Sequence, residues 1–491
     1  MMARFRRRAV GYALVILVVG ASAVSSAQIT PDVKDTAKSL AGSVYTGPSM
    51  ETLREFTDQF GGRLSGSPAH NRAVDWVIAK FHSYGIQNVK TESFTIPNGW
   101  QRGSAHGELI SPMSRPLHVE SLGWAPSTPP GGVKGDIVLI DDLSADAIKS
   151  KADKIKGKIV MLDNEKIFED GFWKVFPALE ASAQRFKDVG ALAVLNPDGA
   201  SNNVINAFNL DWGAHESPLP EVHLGMEDSK LIRRELEKGP VTIHLEIHNV
   251  TSGPIPVKNV IAEIPGSEKP EEWILIGAHF DSWDFGTGAQ DNGTGSASVL
   301  EIARAIAALG KPPKRTVRFA LWGGEEEGLL GSYAYVQAHL NEMGKCVAVL
   351  NTDNGSGHPK GWKVEGRKDV KEALQLISDS VLKDIGGGGV SMEITYDTDH
   401  GPFMLQGVPV FDLWLEMKQY EEVHHKSSDT FDKVDPVDFK SGEAIVAATA
   451  WIVANAEKPI AGHIDHAAVA EILKKNEGLA EVLTAVGQWK P

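Results

Sequence analysis

A single cysteine, Cys346, stands among 491 residues, so no disulfide can close within the chain, and a firmly held metal must be taken by imidazole and carboxylate. Cys346 lies in an apolar run ending at Leu350, where a buried strand residue is the ordinary reading. Positive charge is also scarce. The formal net charge of −15 speaks against nucleic acid as a partner, because neutralising phosphate requires a basic face. Long apolar runs are missing as well: the one near the N-terminus, residues 9–20, is shorter than the roughly 20 residues that a bilayer demands. Tandem repeats and low-complexity tracts are absent.

What is present is a globular composition. Hydrophobic residues make up 42% of the chain, enough for a large core divided over two or three domains. Arg4, Arg6, Arg7 and Arg8 precede the apolar stretch, and small residues follow it up to Ala27. That order predicts a secretory leader, residues 1–27, removed ahead of Gln28, and hence a secreted or periplasmic protein with no membrane span after cleavage. The Arg7-Arg8 pair leaves the export route open.

Residues 49–97 read as helix, Gly61-Gly62 turn, helix and strand, with Val74, Val77, Ile78 and Phe81 at helical spacing. The texture changes over residues 111–250, where short apolar runs at 136–140, 157–162 and 190–195 alternate with loops and one helix near 178–189. After Pro254, strands at 257–264, 273–280, 315–322, 346–352 and 408–415 alternate with helices at 293–309, 331–343, 370–383 and 441–456. The expectation is an α/β fold, a mostly parallel mixed sheet with helices on both faces, plus an inserted β-rich domain. In domain terms, residues 28–110 begin the catalytic domain, 111–250 are the insert, 251–457 complete the catalytic domain, and 458–491 form a helical tail. The glycines at 386–389 read as a loop.

Ligands in such folds gather beyond the carboxyl ends of the strands, and chemistry-bearing residues stand there repeatedly. His279 and Asp281, two apart at a strand end, can point the same way, with Asp281 placed to hold the second ring nitrogen of His279. Asp291 follows a glycine-rich turn and could instead cap the next helix. Glu325, Glu326 and Glu327 form an acidic turn past an apolar strand, where mutual repulsion asks for a nearby cation. Asp353 follows another strand, and His424 and His425 share a polar loop with Asp429. Two imidazoles and three carboxylates from separate segments suit zinc in a catalytic setting. Three carboxylates leave two dications one negative charge short of balance, which a hydroxide completes.

The ordered combination of His279-x-Asp281, Gly286-x-Gly288-Ala289-x-Asp291, Glu325-Glu326-x-Gly328, Asp353, Asp399-His400-Gly401-Pro402-Phe403 and His425-x3-Asp429-Thr430 resembles the co-catalytic, two-zinc aminopeptidases. The order of runs within 111–250 is similar to a protease-associated domain. By this resemblance two zinc ions are bound, with Asp291 bridging them, His279 and Asp353 completing one site, and Glu326 and His425 the other. Glu325 takes the part of general base, and Asp399 and Tyr420 border the substrate pocket. Spacing alone does not separate Glu326 from Glu327, or His425 from His424; the family pattern prefers Glu326 and His425. The resemblance implies an exopeptidase acting on short peptides with a free amino terminus, and a homodimer is compatible with it. Rival readings are an aminoacylase-type two-metal deacylase and a receptor-like binding protein on the same scaffold. The first usually carries its extra domain between the metal-binding acids and the last histidine, whereas about seventy residues separate Asp353 from His425 here. The second lacks ligands that this chain retains.

Overall fold

Two sheets, rather than one, organise the chain. The computed structural model describes residues 29–169 and 171–491, so the expected leader lies outside the described residues. The first sheet runs in the order Val89–Ile96, Ile255–Ile264, Arg315–Trp322, Lys269–His279, Cys346–Asn351, Val410–Leu415, Pro359–Lys363 and Gly389–Ser391. Its four strands from Arg315–Trp322 to Val410–Leu415 are mutually parallel, and antiparallel partners flank them on both sides. The parallel strands are buried on both faces, as their near-continuous apolar runs require.

Alternation along the strands divides the core. Ile274, Ile276 and Ala278 point into one layer, beneath the helices Pro31–Tyr45, Pro68–Ser83, Thr294–Ala308 and Pro436–Asn455. Trp273 and Leu275 point into the other, shared with Leu330–Ala338 and the tail helices His466–Leu473 and Leu479–Ala485. Cys346 is buried there. The tail therefore has a place: beyond its helices, Gln488 donates to the Gly328 carbonyl (3.2 Å) and accepts from the Tyr396 hydroxyl (3.3 Å).

The second sheet is built from an excursion between the edge strand Val89–Ile96 and its neighbour Ile255–Ile264, which pair antiparallel from Val89↔Ala262 to Ile96↔Ile255. Its order is Arg115–Leu117, Trp100–Ser111, Thr242–Thr251, Val133–Ile140, Ile159–Leu162, Ala193–Pro197, Glu221–Leu224 and Val119–Ser121. The long antiparallel ribbon of Trp100–Ser111 with Thr242–Thr251 forms its neck. This sheet starts at Trp100, ahead of the boundary expected at 111, because Trp100–Ser111 is largely polar and half exposed and offers little apolar alternation. Other boundaries moved for similar local reasons. The helix expected near 178–189 is two, Phe172–Glu180 and Ser182–Asp188, the first carrying Pro177 inside it. Pro31–Tyr45, opened by the Thr30 cap and a proline in its first turn, is a further helix, and the glycines expected as a loop lead into the edge strand Gly389–Ser391. Among the described residues no helix is long and apolar enough to cross a membrane.

Glu221 is buried in the second sheet, hydrogen-bonded to Ser217 with its other oxygen unpartnered, and burial pushes its carboxyl up from 4.5 to about 7. The folded state thus holds a proton that the unfolded chain releases, so stability falls as pH rises from about 4.5 through about 7. Glu221→Gln should remove this loss and raise the unfolding free energy at pH 8 by on the order of 3 kcal/mol, with little change at pH 4. Urea denaturation at the two pH values checks it; an equal effect at both rejects the assignment.

Candidate metal centre and cavity

His279 is the last residue of the central strand Lys269–His279; Glu325 and Glu326 follow Arg315–Trp322, and Asp353 follows Cys346–Asn351. Three adjacent parallel strands thus deliver their acids and imidazole to one edge of the sheet. Asp291 arrives from the turn ahead of Thr294–Ala308 and does not cap that helix, whose N-cap is Gly293 with no side-chain bond. Its carboxylate is left to face the imidazoles. Oδ1 lies 3.3 Å from His279 Nε2, while Oδ2 lies 3.2 Å from His425 Nε2 and 3.5 Å from His424 Nε2. On the first side, His279 Nε2 is 3.5 Å from Asp353 Oδ2 and 3.8 Å from Glu325 Oε2. On the second, His425 Nε2 is 3.0 Å from Glu326 Oε2. The other four expected ligands and Glu325 are therefore gathered with Asp291, and His424 stands beside them.

The donor set fits divalent cations. Three groups converge closely enough to share an ion: His279 with Glu325 and Asp353, His279 with Asp291 and Glu326, and Asp291 with His424 and His425. His279 Nε2 and Asp291 Oδ2 are buried with no hydrogen-bond partner, an expensive state for polar atoms that nothing is meant to occupy. Burial pushes Glu325 well above the usual carboxylate range and Glu326 up to about 7, with neighbouring acids adding to the effect. Burial opposes charge on His279, yet Glu325 and Asp353 hold its ring protonated well above 6.5; Glu326 and Asp291 likewise raise His425 to about 10. Such protons occupy the places that a dication takes on binding.

Supports surround the cluster. The Asp281 carboxylate lies 3.6 Å from His279 Nδ1, but the nearer acceptor is its own backbone carbonyl, at 3.2 Å. Its carboxylate instead accepts from Ser65 Oγ (3.1 Å) and the amides of Glu325 (3.4 Å) and Glu326 (3.3 Å), fixing the acidic turn. Asp429 accepts from the amides of Gln290 (2.7 Å) and Asp291 (3.0 Å). Glu327 is buried with both oxygens unpartnered and forms no pair with His425. Sequence reasoning missed Arg63. Fully buried, it donates to the carbonyls of Phe280 (2.7 Å), Gly61 (2.8 Å), Thr287 (2.7 Å) and Gly288 (2.9 Å), tying the strand end to the glycine-rich turn. Gly288 has φ +59, and a Cβ there would strike Ser282, so this turn needs glycine. An arginine after two glycines carries no signal of such a role.

A cavity of about 680 Å³ opens beside the cluster. Tyr420 lines it as expected; Asp397 does so in place of Asp399, which is buried and pushed up to about 7. Its far wall comes from the second-sheet unit, through Phe168, Phe172, Phe176, Phe208 and Trp212. That unit also touches the ligand loop, where Ala207 N–H donates to the His425 carbonyl (2.7 Å) and Asn206 bridges to Lys426.

Residues 259–450 match the profile described as Peptidase family M28, and relatives of the chain are peptidases, which supports a metallopeptidase. The chain is 29% identical over 421 residues to carboxypeptidase Q from Mus musculus, covering 84% of this chain and 87% of that one. Among solved structures, a peptidase M28 precursor from Shewanella amazonensis superposes with a TM-score of 0.78 at 28% identity, covering 90% of this chain and all of its own. A zinc aminopeptidase from Bacillus subtilis shares the fold, with a TM-score of 0.65 at 22% identity over 85% of this chain and 97% of its own.

Arg63→Lys keeps the charge but not the planar fork, so carbonyls of the glycine-rich turn lose their donors. Each orphaned carbonyl should cost about 1–3 kcal/mol, lowering the thermal midpoint with or without added metal. A variant melting with the wild type in both conditions would remove Arg63 from this role.

Proposed function

We propose that the chain is an exported, two-zinc exopeptidase that hydrolyses short peptides bearing a free amino terminus. The observation that carries this reading is the Asp291 carboxylate, set between His279 and His425 with one oxygen toward each. In this reading Asp291 is shared, His279 and Asp353 complete one metal position, and Glu326 and His425 the other. Bound zinc supplies Lewis acidity, acidifying a water and polarising a peptide carbonyl. Glu325, 3.8 Å from His279 Nε2 at the edge of the cluster, would accept the proton of the attacking water and return it to the departing nitrogen as the C–N bond breaks. The water oxygen stays on the new carboxylate. Asp281 keeps the turn that presents Glu325 and Glu326 in place.

The free amino terminus follows from charge. Asp211, Asp397 and Glu421 line the cavity with the cluster acids, and no lysine or arginine is among the described lining residues. An α-ammonium finds acceptors there, whereas a C-terminal carboxylate or the carboxylate of an acyl amino acid finds no lysine or arginine. Export rests on the basic, apolar and small-residue order of residues 1–27.

Metal analysis should return about two zinc ions per chain, because five ligands with one shared are too many for a single catalytic zinc. Glu325→Gln should retain them while kcat falls by about 10²–10⁴-fold, whereas Asp291→Ala should lose both metal and activity. Equal metal content in the two variants would move the roles to other residues. A dipeptide should be cleaved far faster than its N-acetyl form, and its C-terminal amide should remain a substrate. Preferred cleavage of the acetylated form would instead favour a deacylase, and loss of the amide a carboxypeptidase.

A further inference from the structure

The loop that carries the last ligand is held from outside itself. His425 lies between the helix Lys418–Val423 and the short turn Phe431–Lys433, and its backbone has φ +59. A histidine keeps that left-handed conformation only where its surroundings fix it. Bonds inside the loop hold its neighbours: His424 N–H donates to the Tyr420 carbonyl (2.7 Å), Lys426 N–H to that of Val423 (2.9 Å), and Asp429 N–H to that of Lys426 (3.0 Å). The His425 carbonyl instead accepts from Ala207 N–H, and Lys426 pairs antiparallel with Asn206, both partners coming from the second-sheet unit.

Those partners are set in turn by one carboxylate. Asp198 follows the strand Ala193–Pro197 and is buried, its N–H donated to the Leu224 carbonyl (2.8 Å) of the neighbouring strand. Oδ1 accepts from Ala200 N–H (2.9 Å), a bond two residues long that any aspartate at a turn can make. Oδ2 reaches eight residues on to Asn206 N–H (2.7 Å), which a turn does not need. Beyond Ala207, the Phe208 carbonyl accepts from Gly123 N–H (3.0 Å). Ala207 is thus pinned on both sides, and its amide is aimed at His425 by the second sheet rather than by the loop it meets.

Resting on the two-metal reading above, we propose that Asp198 is a positioning residue for His425: through Asn206 and Ala207 it fixes the backbone turn that sends the imidazole toward Asp291 and Glu326. The metal position of Glu326 and His425 is then assembled by both sheets. That of His279 and Asp353 is not, because its ligands follow adjacent parallel strands of the first sheet. The link also bears on the choice between adjacent imidazoles. His424 Nε2 lies 3.5 Å from the same Asp291 oxygen that His425 Nε2 meets at 3.2 Å, and the tie across the units falls on His425.

The test is a chelator titration of the full zinc-loaded chain, with metal content read at each step. Partners that orient a ligand are commonly worth about 10- to 100-fold in metal affinity, so Asp198→Ala should weaken one zinc by that factor and leave the other as in the wild type. Asp198→Asn keeps an acceptor oxygen and should lose less. Asp163→Asn, which disturbs the buried Arg233 pair elsewhere in the same unit, should leave both zincs unchanged. Hydrogen exchange on the metal-free chain reads the link without zinc. In Asp198→Ala, residues 198–209 and 418–430 should exchange faster together, and 273–281 and 346–353 as before. Both zincs weakened alike, neither weakened, or an equal loss in Asp163→Asn overturns the role of Asp198; so does exchange that rises in only one of the first two segments, or in all four. Each of these leaves the two-metal reading standing. A wild-type chain that binds no zinc or only one rejects that reading, while concerted exchange in the variant still upholds the tie of Asp198 to the His425 loop.

Discussion

The molecule is arranged around the cost of holding carboxylates together out of water. Asp281, Asp291, Glu326 and Asp353 are drawn to one edge of a sheet and, with Glu325, crowd two imidazoles. Burial and neighbouring acids raise Glu325 and Glu326, while the imidazoles of His279 and His425 hold Asp291 well below the usual carboxylate range. The local backbone is organised to bear this. Asp281 and Asp429 take amide hydrogens rather than water, and the Arg63 guanidinium, itself lowered by burial to about 10, locks the surrounding carbonyls. A pair of dications turns this repulsion into attraction, which makes metal binding part of the stability of the turn it occupies.

The parallel strands explain why the acids meet at all. Parallel neighbours end on the same side, so Arg315–Trp322, Lys269–His279 and Cys346–Asn351 release their next residues at one edge, a few ångströms apart. Antiparallel flanks would have sent alternate strands the other way; they occur only outside this centre. One flank opens into the second sheet, whose unit adds Phe168, Phe172, Phe176, Phe208 and Trp212 to the cavity lining.

Much of this was legible because the informative residues stand next to strong periodic signals. His279, Glu325, Glu326 and Asp353 each follow an apolar run, and glycines marked the turn carrying Asp291. Residues acting through backbone contacts were not legible. Arg63 bonds to carbonyls far along the chain, and such a role leaves no trace in composition. The aromatic wall was hidden for another reason: Phe172, Trp173 and Phe176 share a helix with Pro177, which weakens the helical pattern and draws attention to the residues after it. The polar ribbon Trp100–Ser111 was likewise silent, since its partner strand, not its own alternation, gives it structure.

The neck of the second-sheet unit is narrow. Gly99 and Gly253 face each other there, with Gly99 N–H donating to the Gly253 carbonyl (3.2 Å) and Ser252 N–H to that of Gly99 (2.7 Å), so the excursion could be cut out and the ends joined almost without displacement. Such a deletion would look clean on paper. It would nonetheless carry away residues 206–207, the partners of the His425 loop. The excursion is therefore a cassette by topology but not by mechanism. Transplanting it into another peptidase would transfer a histidine brace along with a pocket wall, and the recipient loop would have to match its register at positions 425 and 426.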